Sequence, residues 1–184
     1  MPKSVNFAAV EKVNQAGKIV LVTGGQRSGK SEWAERKALS LSPAPVYVAT
    51  ARVWDDEFRA RVAAHQARRG PEWTNIEEPL HLSRFVLTGK VVLVDCVTLW
   101  ATNMFFEKNE DVDTAFRALT EEFDAFTSHD ATYIFVTNEI GLGGVSENAM
   151  QRRFTDLQGL MNRYVASRAA EVYFMVSGLE LRLK

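Results

Sequence analysis

Residues 20–38 read VLVTGGQRSGKSEWAERKA. An apolar, β-branched run stops at a glycine pair, and a helical pattern follows. Gly24, Gly29, Lys30 and Ser31 fill the spacing G-x-x-x-x-G-K-[ST], and a strand before and a helix after are the context that spacing needs. Glycine lets the backbone turn tightly enough for successive N–H groups to converge on phosphate oxygens. The helix that follows adds the positive end of its dipole. Lys30 is long enough to reach β- and γ-phosphates, and the Ser31 hydroxyl is a candidate Mg²⁺ ligand. The competing reading is a chance glycine-rich turn. The motif predicts nucleotide binding and leaves kinase, ATPase, GTPase and transferase open.

Outward from this stretch, four more short runs resemble its strand: PVYVAT (45–50), KVVLVDC (90–96), TYIFVTN (132–138) and EVYFMVSG (171–178). Together with KIVLVT (18–23), most are apolar without alternation, as in strands covered on both faces of a parallel sheet. Helical patterns lie between them. Phe116, Leu119, Phe123 and Phe126 recur at spacings of three and four, with Arg117, Glu121 and Glu122 largely on the opposite face. Phe154, Leu157, Leu160, Met161, Tyr164 and Val165 form a second stripe. Both stripes read as core. Strands alternating with helices predict an α/β fold around a parallel sheet. Residues 69–90 are less organised and read as a loop with a short helix or a small excursion from the sheet.

Composition narrows the class. The chain has 184 residues, 46% hydrophobic and 24% charged, which fits one globular domain with a sizeable core. A net charge of −1 offers no broad basic field for nucleic acid. No apolar run reaches the roughly 18–20 residues that span a bilayer. MPKSVNFAAVEKVNQAGK (1–18) lacks the continuous apolar core of a signal peptide. The expectation is an extension over 1–17, a single nucleotide-binding domain over 18–184, and a cytoplasmic protein. One cysteine, Cys96, excludes an internal disulfide and a multi-cysteine zinc site.

In a parallel sheet, ligands bind beyond the C-terminal strand ends. Asp95 ends one apolar run and is a second candidate Mg²⁺ holder; an N-cap or structural carboxylate is the alternative. Ala49 and Thr50 end another run, and Thr137, Asn138 and Glu139 a third, so polar groups converge on that edge. The guanine reader N-K-x-D of GTPases is absent, since TNEIG does not fill it.

Of the three histidines, His81 lies among apolar neighbours and reads as structural, and His129 reads as a surface turn. His65 sits in DDEFRARVAAHQARRGPEW (55–73). On a helix, Arg61 falls one turn before it and Arg68 and Arg69 one turn after. Guanidinium groups suit phosphate and disfavour protonation of a nearby imidazole, which then becomes a competent nucleophile at phosphorus. A solvated helix with arginines facing water fits the same residues. The residues alone leave both open.

Six segments in order resemble one family. VTGGQRSGKSEWAE is similar to the phosphate loop of the bifunctional adenosylcobinamide kinase/adenosylcobinamide-phosphate guanylyltransferases of cobalamin biosynthesis. YVATARVWDDEFRARVAAHQARRGPEW resembles their segment of strand, acidic cluster, histidine and tryptophan. LVDCVTLWATNM, VTNEIGLGGV, RRFTDLQGLMN and the closing VSGLELRLK complete the likeness, which runs from about residue 18 to the C-terminus. This chain departs in RRGPEW, where many relatives have arginine-proline nearer the tryptophan, and in GLGGVSEN, where many have isoleucine-valine-proline.

The resemblance implies a P-loop NTPase-like (RecA-like) domain, a mainly parallel sheet flanked by helices, in a homo-oligomer. It implies that His65 takes up GMP from GTP as a phosphoramidate and that Lys30 serves phosphoryl transfer. It implies nucleotide contacts from Gly24, Gly25, Gln26, Arg27, Ser28, Gly29, Lys30 and Ser31, from Ala49, Thr50 and Ala51, from Gln66, Ala67, Arg68 and Arg69, and from Glu77 and Asp95. Mg²⁺ would accompany GTP or ATP, held by Ser31 and Asp95. The acceptors would be adenosylcobinamide and its phosphate, with no nucleic acid and no membrane segment. Two rival readings are an unrelated P-loop small-molecule kinase and a nucleotide-binding regulatory module. The latter needs a water-positioning residue, for which Glu139 is the nearest candidate.

Overall fold

A computed structural model describes residues 17–52, 55–56, 59, 63, 66–67 and 69–184. Residues 1–16 of the extension expected over 1–17 lie outside the described residues, as do His65, Arg61 and Arg68. Seven strands form one sheet: β1 (Lys18–Gly24), β2 (Val46–Ala49), β3 (Thr74–Glu77), β4 (Val91–Asp95), β5 (Thr132–Val136), β6 (Glu171–Val176) and β7 (Leu179–Arg182). Their order is β3-β2-β4-β5-β1-β6-β7. Every pairing is parallel except β6 with β7. The predicted mainly parallel α/β sheet is therefore the observed one, and β5 lies between the strand that feeds the phosphate loop and the strand that ends in Asp95.

The helices are α1 (Lys30–Leu41), α2 (Val97–Glu107), α3 (Val112–Thr127) and α4 (Ala149–Arg168). Successive residues of a strand point to opposite faces, and both faces are covered. Ile19 and Leu21 of β1 pack with Trp100, Phe123, Phe126 and Leu157 from α2, α3 and α4. Val20 and Val22 pack with Trp33, Ala34 and Ala38 of α1 on the other face. This double burial is why the central strands read as unbroken apolar runs. The aromatic stripe of α3 is core as expected: Leu119, Phe123 and Phe126 are fully buried. Asp111 caps α3 by accepting from the Thr114 N–H, and Asn148 caps α4 by accepting from Gln151 N–H.

Three elements escaped the sequence reading. The strand β3 was part of the stretch read as loop or excursion; TNIE is polar and lies at a sheet edge, where only Ile76 packs on the core. Helix α2 is apolar nearly all round, burying Val97, Trp100, Ala101, Met104 and Phe105, so it shows no clean stripe. The antiparallel β7 has every residue exposed. Its turn, Ser177-Gly178, has positive φ at both residues, 51° and 82°, the pattern of a tight hairpin. Trp33 of α1 donates through Nε1 to Glu180 of β7 and fastens the hairpin to the body.

Glu171 starts β6 and ties three elements. Lys18 Nζ of β1 lies 2.5 Å from its Oε1, the Tyr173 hydroxyl donates to Oε2 at 2.7 Å, and Lys37 of α1 lies 3.6 Å away. These donors hold the carboxyl down to about 2, Lys18 contributing most. A carboxyl depressed by folding contributes stability that is complete above its unfolded value, about 4.3, and is lost as pH falls through the folded one. Glu171→Gln should therefore narrow the gap to wild type as pH falls. Urea melts from about pH 6 to about pH 3 measure this; a gap independent of pH would show that the ion pair contributes nothing.

Candidate active site

Strand register places the expected site residues along one edge. Glu77, Ala49, Asp95, Val136 and Val22 occupy one row across β3, β2, β4, β5 and β1. The phosphate loop begins two residues beyond Val22, at Gly24. Gly24 has φ 150°, and a Cβ there would lie 2.4 Å from the Met175 carbonyl oxygen of β6. The backbone passes so close that no side chain fits. Above Gly25 the space is open: beyond its chain neighbours, no atom of the described residues lies within 4 Å of an added Cβ. Arg27 takes a left-handed φ of 57° and Gly29 one of 92°. The hairpin turn supports the loop, Gly178 N–H donating to the Ser28 carbonyl at 3.1 Å. The cap of α1 is Gly29, which has no side chain to satisfy the first-turn amides. Gln26 and Arg27 are exposed, and Ser31 is half-buried in the first turn of α1.

Lys30 is 6% exposed, and its Nζ donates to the Gly25 carbonyl at 2.5 Å and to Ser28 Oγ at 3.4 Å. Burial lowers its pKa from the usual lysine value, while Cys96 and Asp95 oppose that. Cys96 is itself pushed up to about 12, mainly by burial and then by Asp95. A thiol that high is neutral at pH 7, which leaves Asp95 as the anion that Lys30 feels. A partly desolvated ammonium held by a carbonyl and a hydroxyl is ready to exchange them for phosphate oxygens.

Asp95 is fixed from β2. The Tyr47 hydroxyl donates to its Oδ2 at 3.1 Å, and burial followed by the Asp95 charge raises the phenol well above its usual value, so it stays a donor. The Arg69 guanidinium stacks 3.5 Å from the centre of the Tyr47 ring, and its Nε donates to Asn75 at 2.9 Å. Gln66 donates to the Glu77 carboxylate at 3.4 Å. Arg69 and Gln66 therefore reach the sheet edge that carries Asp95. Asp56, Arg59, Ala63, Gln66 and Ala67 are helical and exposed, as the solvated-helix reading expects.

Thr50 is fully buried, and all its polar groups are engaged. Its N–H donates to Asp95 O, its hydroxyl donates to Cys96 O at 2.8 Å and accepts from Cys96 N at 2.9 Å, and its carbonyl accepts from Asn103 at 2.7 Å. Thr50 thus ties the end of β2 to the end of β4, across the cis Asp95–Cys96 peptide. Ala49 and Ala51 flank it, half-buried, at the same edge.

The sequence reading marked Thr137, Asn138 and Glu139 at the end of β5 but missed Tyr47, Asn103, and the Gln158 and Asn162 that complete that polar cluster. In that cluster Thr137 donates to Asn162 Oδ1 at 2.7 Å, and Gln158 donates to both. Buried polar residues on apolar helices, such as Asn103 in ATNM and Asn162 in GLMNRY, were the available signal. His81 contacts Glu122 at 3.1 Å through Nδ1, matching its structural reading, and His129 lies in the turn after α3. Among the described residues no group of three or more His, Cys, Asp or Glu side chains is placed to hold a metal ion. No helix among them is long and apolar enough to cross a membrane.

Comparison with known proteins adds to this geometry. Residues 20–183 match the family described as cobinamide kinase / cobinamide phosphate guanyltransferase. The bifunctional adenosylcobalamin biosynthesis protein CobP of Pseudomonas aeruginosa is 39% identical over 169 residues, covering 89% of this chain and 96% of that protein. The bifunctional adenosylcobalamin biosynthesis protein CobU of Escherichia coli is 34% identical over 181 residues, covering 90% and 99%. Among solved structures, the flagellar accessory protein FlaH from Methanocaldococcus jannaschii overlays with a TM-score of 0.48 at 14% identity, covering 91% of this chain and 78% of that one.

The two glycines that open the loop separate folding from ligand binding. Gly24→Ala should lower the thermal midpoint, at a cost of about 1–3 kcal/mol, because its neighbour is backbone and its φ is strained for alanine. Gly25→Ala should leave the ligand-free protein within about 0.5 kcal/mol of wild type and abolish the midpoint rise produced by GTP. Thermal melts with and without GTP check both. An undiminished GTP shift in Gly25→Ala would show that the open space does not hold phosphate.

Proposed function

The chain belongs to the cobinamide kinase / cobinamide phosphate guanyltransferase family, transferases of cobalamin biosynthesis, and on that premise we propose how its residues divide the two reactions. In the kinase reaction a nucleoside triphosphate lies on Gly24–Ser31 and gives its γ-phosphoryl group to the hydroxyl of adenosylcobinamide. Lys30 exchanges the Gly25 carbonyl and Ser28 hydroxyl for phosphate oxygens and offsets the charge that develops on the transferring group.

The guanylyltransfer uses His65. A ring nitrogen attacks the α-phosphorus of GTP, the α–β P–O bond breaks, and pyrophosphate leaves. A phosphate oxygen of adenosylcobinamide phosphate then attacks the GMP-histidine, the N–P bond breaks, and adenosylcobinamide-GDP forms. Imidazole suits both halves, attacking when neutral and leaving when protonated. His65 itself lies outside the described residues. The reading is carried by its neighbour Arg69, whose guanidinium stacks on Tyr47 while the Tyr47 hydroxyl holds Asp95. Arg69, four residues after His65, is thus at the sheet edge that carries Asp95, which supports the reading. Gln66 on Glu77 supports the same placement.

The donor set fits Mg²⁺. Asp95 and Ser31 offer hard oxygens, and one or two protein ligands completed by phosphates and water is how Mg²⁺ is usually held. When bound, the ion supplies positive charge that neutralises the polyphosphate.

Two experiments test the division. After incubation with GTP and Mg²⁺, intact-mass spectrometry should show one added GMP, mapped to a peptide containing His65, and His65→Ala should carry none. Equal labelling of the variant would remove His65 as nucleophile. Lys30→Ala should lower phosphorylation of cobinamide by about 10²-fold or more; wild-type activity would sink the role of the phosphate loop.

A further inference from the structure

Phosphoryl transfer to an alcohol leaves a proton to be placed, and neither Lys30 nor Asp95 is arranged to take it. Lys30 is a cation held against the loop, and Asp95 already accepts from Tyr47. Another carboxylate stands beside the loop. Glu139 follows the end of β5, the strand that separates β1 from β4. Its backbone N–H donates to the Gly24 carbonyl at 3.2 Å, one residue from the carbonyl that holds Lys30.

The side chain is oriented by two buried donors. Thr23 Oγ1 donates to Oε1 at 3.0 Å, and Asn162 Nδ2 donates to the same oxygen at 2.9 Å. Thr23 and Asn162 are 6% and 7% exposed. Asn162 is fixed in turn, donating to the Asn138 carbonyl and accepting from Thr137 and Gln158. From the other side, Asn138 donates through both its backbone and its side chain to Thr98 Oγ1 of α2. The tip of β5 is therefore clamped by β1, α2 and α4. Oε2 has no hydrogen-bond or ion-pair partner among the described residues, and Glu139 is only half-buried. A purely structural carboxylate would be expected to use both oxygens or a cation. Here one oxygen is an anchor and the other faces no donor among the described residues, which is the arrangement of a positioned base.

We propose that Glu139 is the general base of the kinase reaction, its Oε2 accepting the proton of the alcohol. This rests on the family's kinase activity and adds a residue to it. As the hydroxyl oxygen bonds to the γ-phosphorus, the β–γ P–O bond breaks, the nucleoside diphosphate leaves with the electron pair, and the proton passes to Glu139 and then to water. The guanylyltransfer needs no such proton acceptor, because its nucleophiles are an imidazole and a phosphate. The two reactions should therefore separate at this residue.

The test uses the full chain with Glu139→Gln, which keeps an oxygen to accept from Thr23 and Asn162 and loses only the base. Phosphorylation of cobinamide from labelled ATP or GTP is followed against pH, alongside formation of the GMP adduct and the thermal midpoint. The expected result is a kcat for phosphorylation lower by about 10²-fold or more, with KM for the nucleotide, GMP adduct formation and the midpoint retained. Wild type should lose kcat on the acid side, Glu139→Asp should keep that limb, and Glu139→Gln should lack it. Wild-type phosphorylation by Glu139→Gln, or an unchanged acid limb in that variant, would overturn the proposal. So would a parallel loss of GMP adduct, which marks a residue that holds nucleotide or metal. Absence of phosphorylation by wild type would instead count against the kinase activity itself.

Discussion

The site depends on how closely β1 and β6 approach where β1 ends. The Met175 carbonyl oxygen lies 2.4 Å from where a Gly24 Cβ would be, so any side chain at Gly24 would strain the turn. The candidate phosphate-binding groups of the loop are placed relative to that turn. Gly178 holds the Ser28 carbonyl from the hairpin side, and Glu139 holds the Gly24 carbonyl from the β5 side. The loop is thereby fixed by hydrogen bonds from both flanking strands before any ligand arrives. Preorganised donors of this kind lose little entropy when they meet an anion.

A second constraint acts at the other half of the edge. The reciprocal bonds between Thr50 and Cys96, with Asn103 on the Thr50 carbonyl, tie β2 to β4 where backbone pairing ends. On the same two strands the Tyr47 hydroxyl donates to Asp95, and the Arg69 guanidinium stacks on the Tyr47 ring. One aromatic side chain thus links the candidate metal carboxylate to the segment that bears His65. Lys30 feels Asp95 through a partly desolvated environment, where charges interact more strongly than in water. Lys30, Asp95, Tyr47 and Arg69 are consequently linked although they are far apart in the chain.

Between these halves lies β5, whose end carries the polar cluster of Thr137, Asn138 and Glu139. Gln158 and Asn162 of α4 carry its hydrogen bonds into the protein interior. Buried polar networks rigidify when their members are satisfied. Glu139 belongs to this cluster on the β5 side of the loop, whereas Arg69 and Gln66 meet the sheet on the β2–β3 side.

The local sequence determined the phosphate loop, the apolar strands and the aromatic stripes of α3 and α4. Each of these is written in neighbours along the chain: glycine spacing, β-branched runs, and apolar recurrence every three or four residues. It also marked Asp95 and the polar strand ends, since a parallel sheet carries its site beyond its C-terminal edge. It did not show β3 or β7, which are polar or exposed strands recruited at the sheet edges, nor α2, whose apolar surface has no single face. Nor did it show that Thr50 turns inward, that Tyr47 supports Asp95, or that Glu139 has one oxygen anchored by Thr23. Those are contacts across separations of 46, 48 and 116 residues. Periodicity says which way a side chain faces within its own element. Which partner it meets there is set by strand order and register, and only the folded sheet decides those.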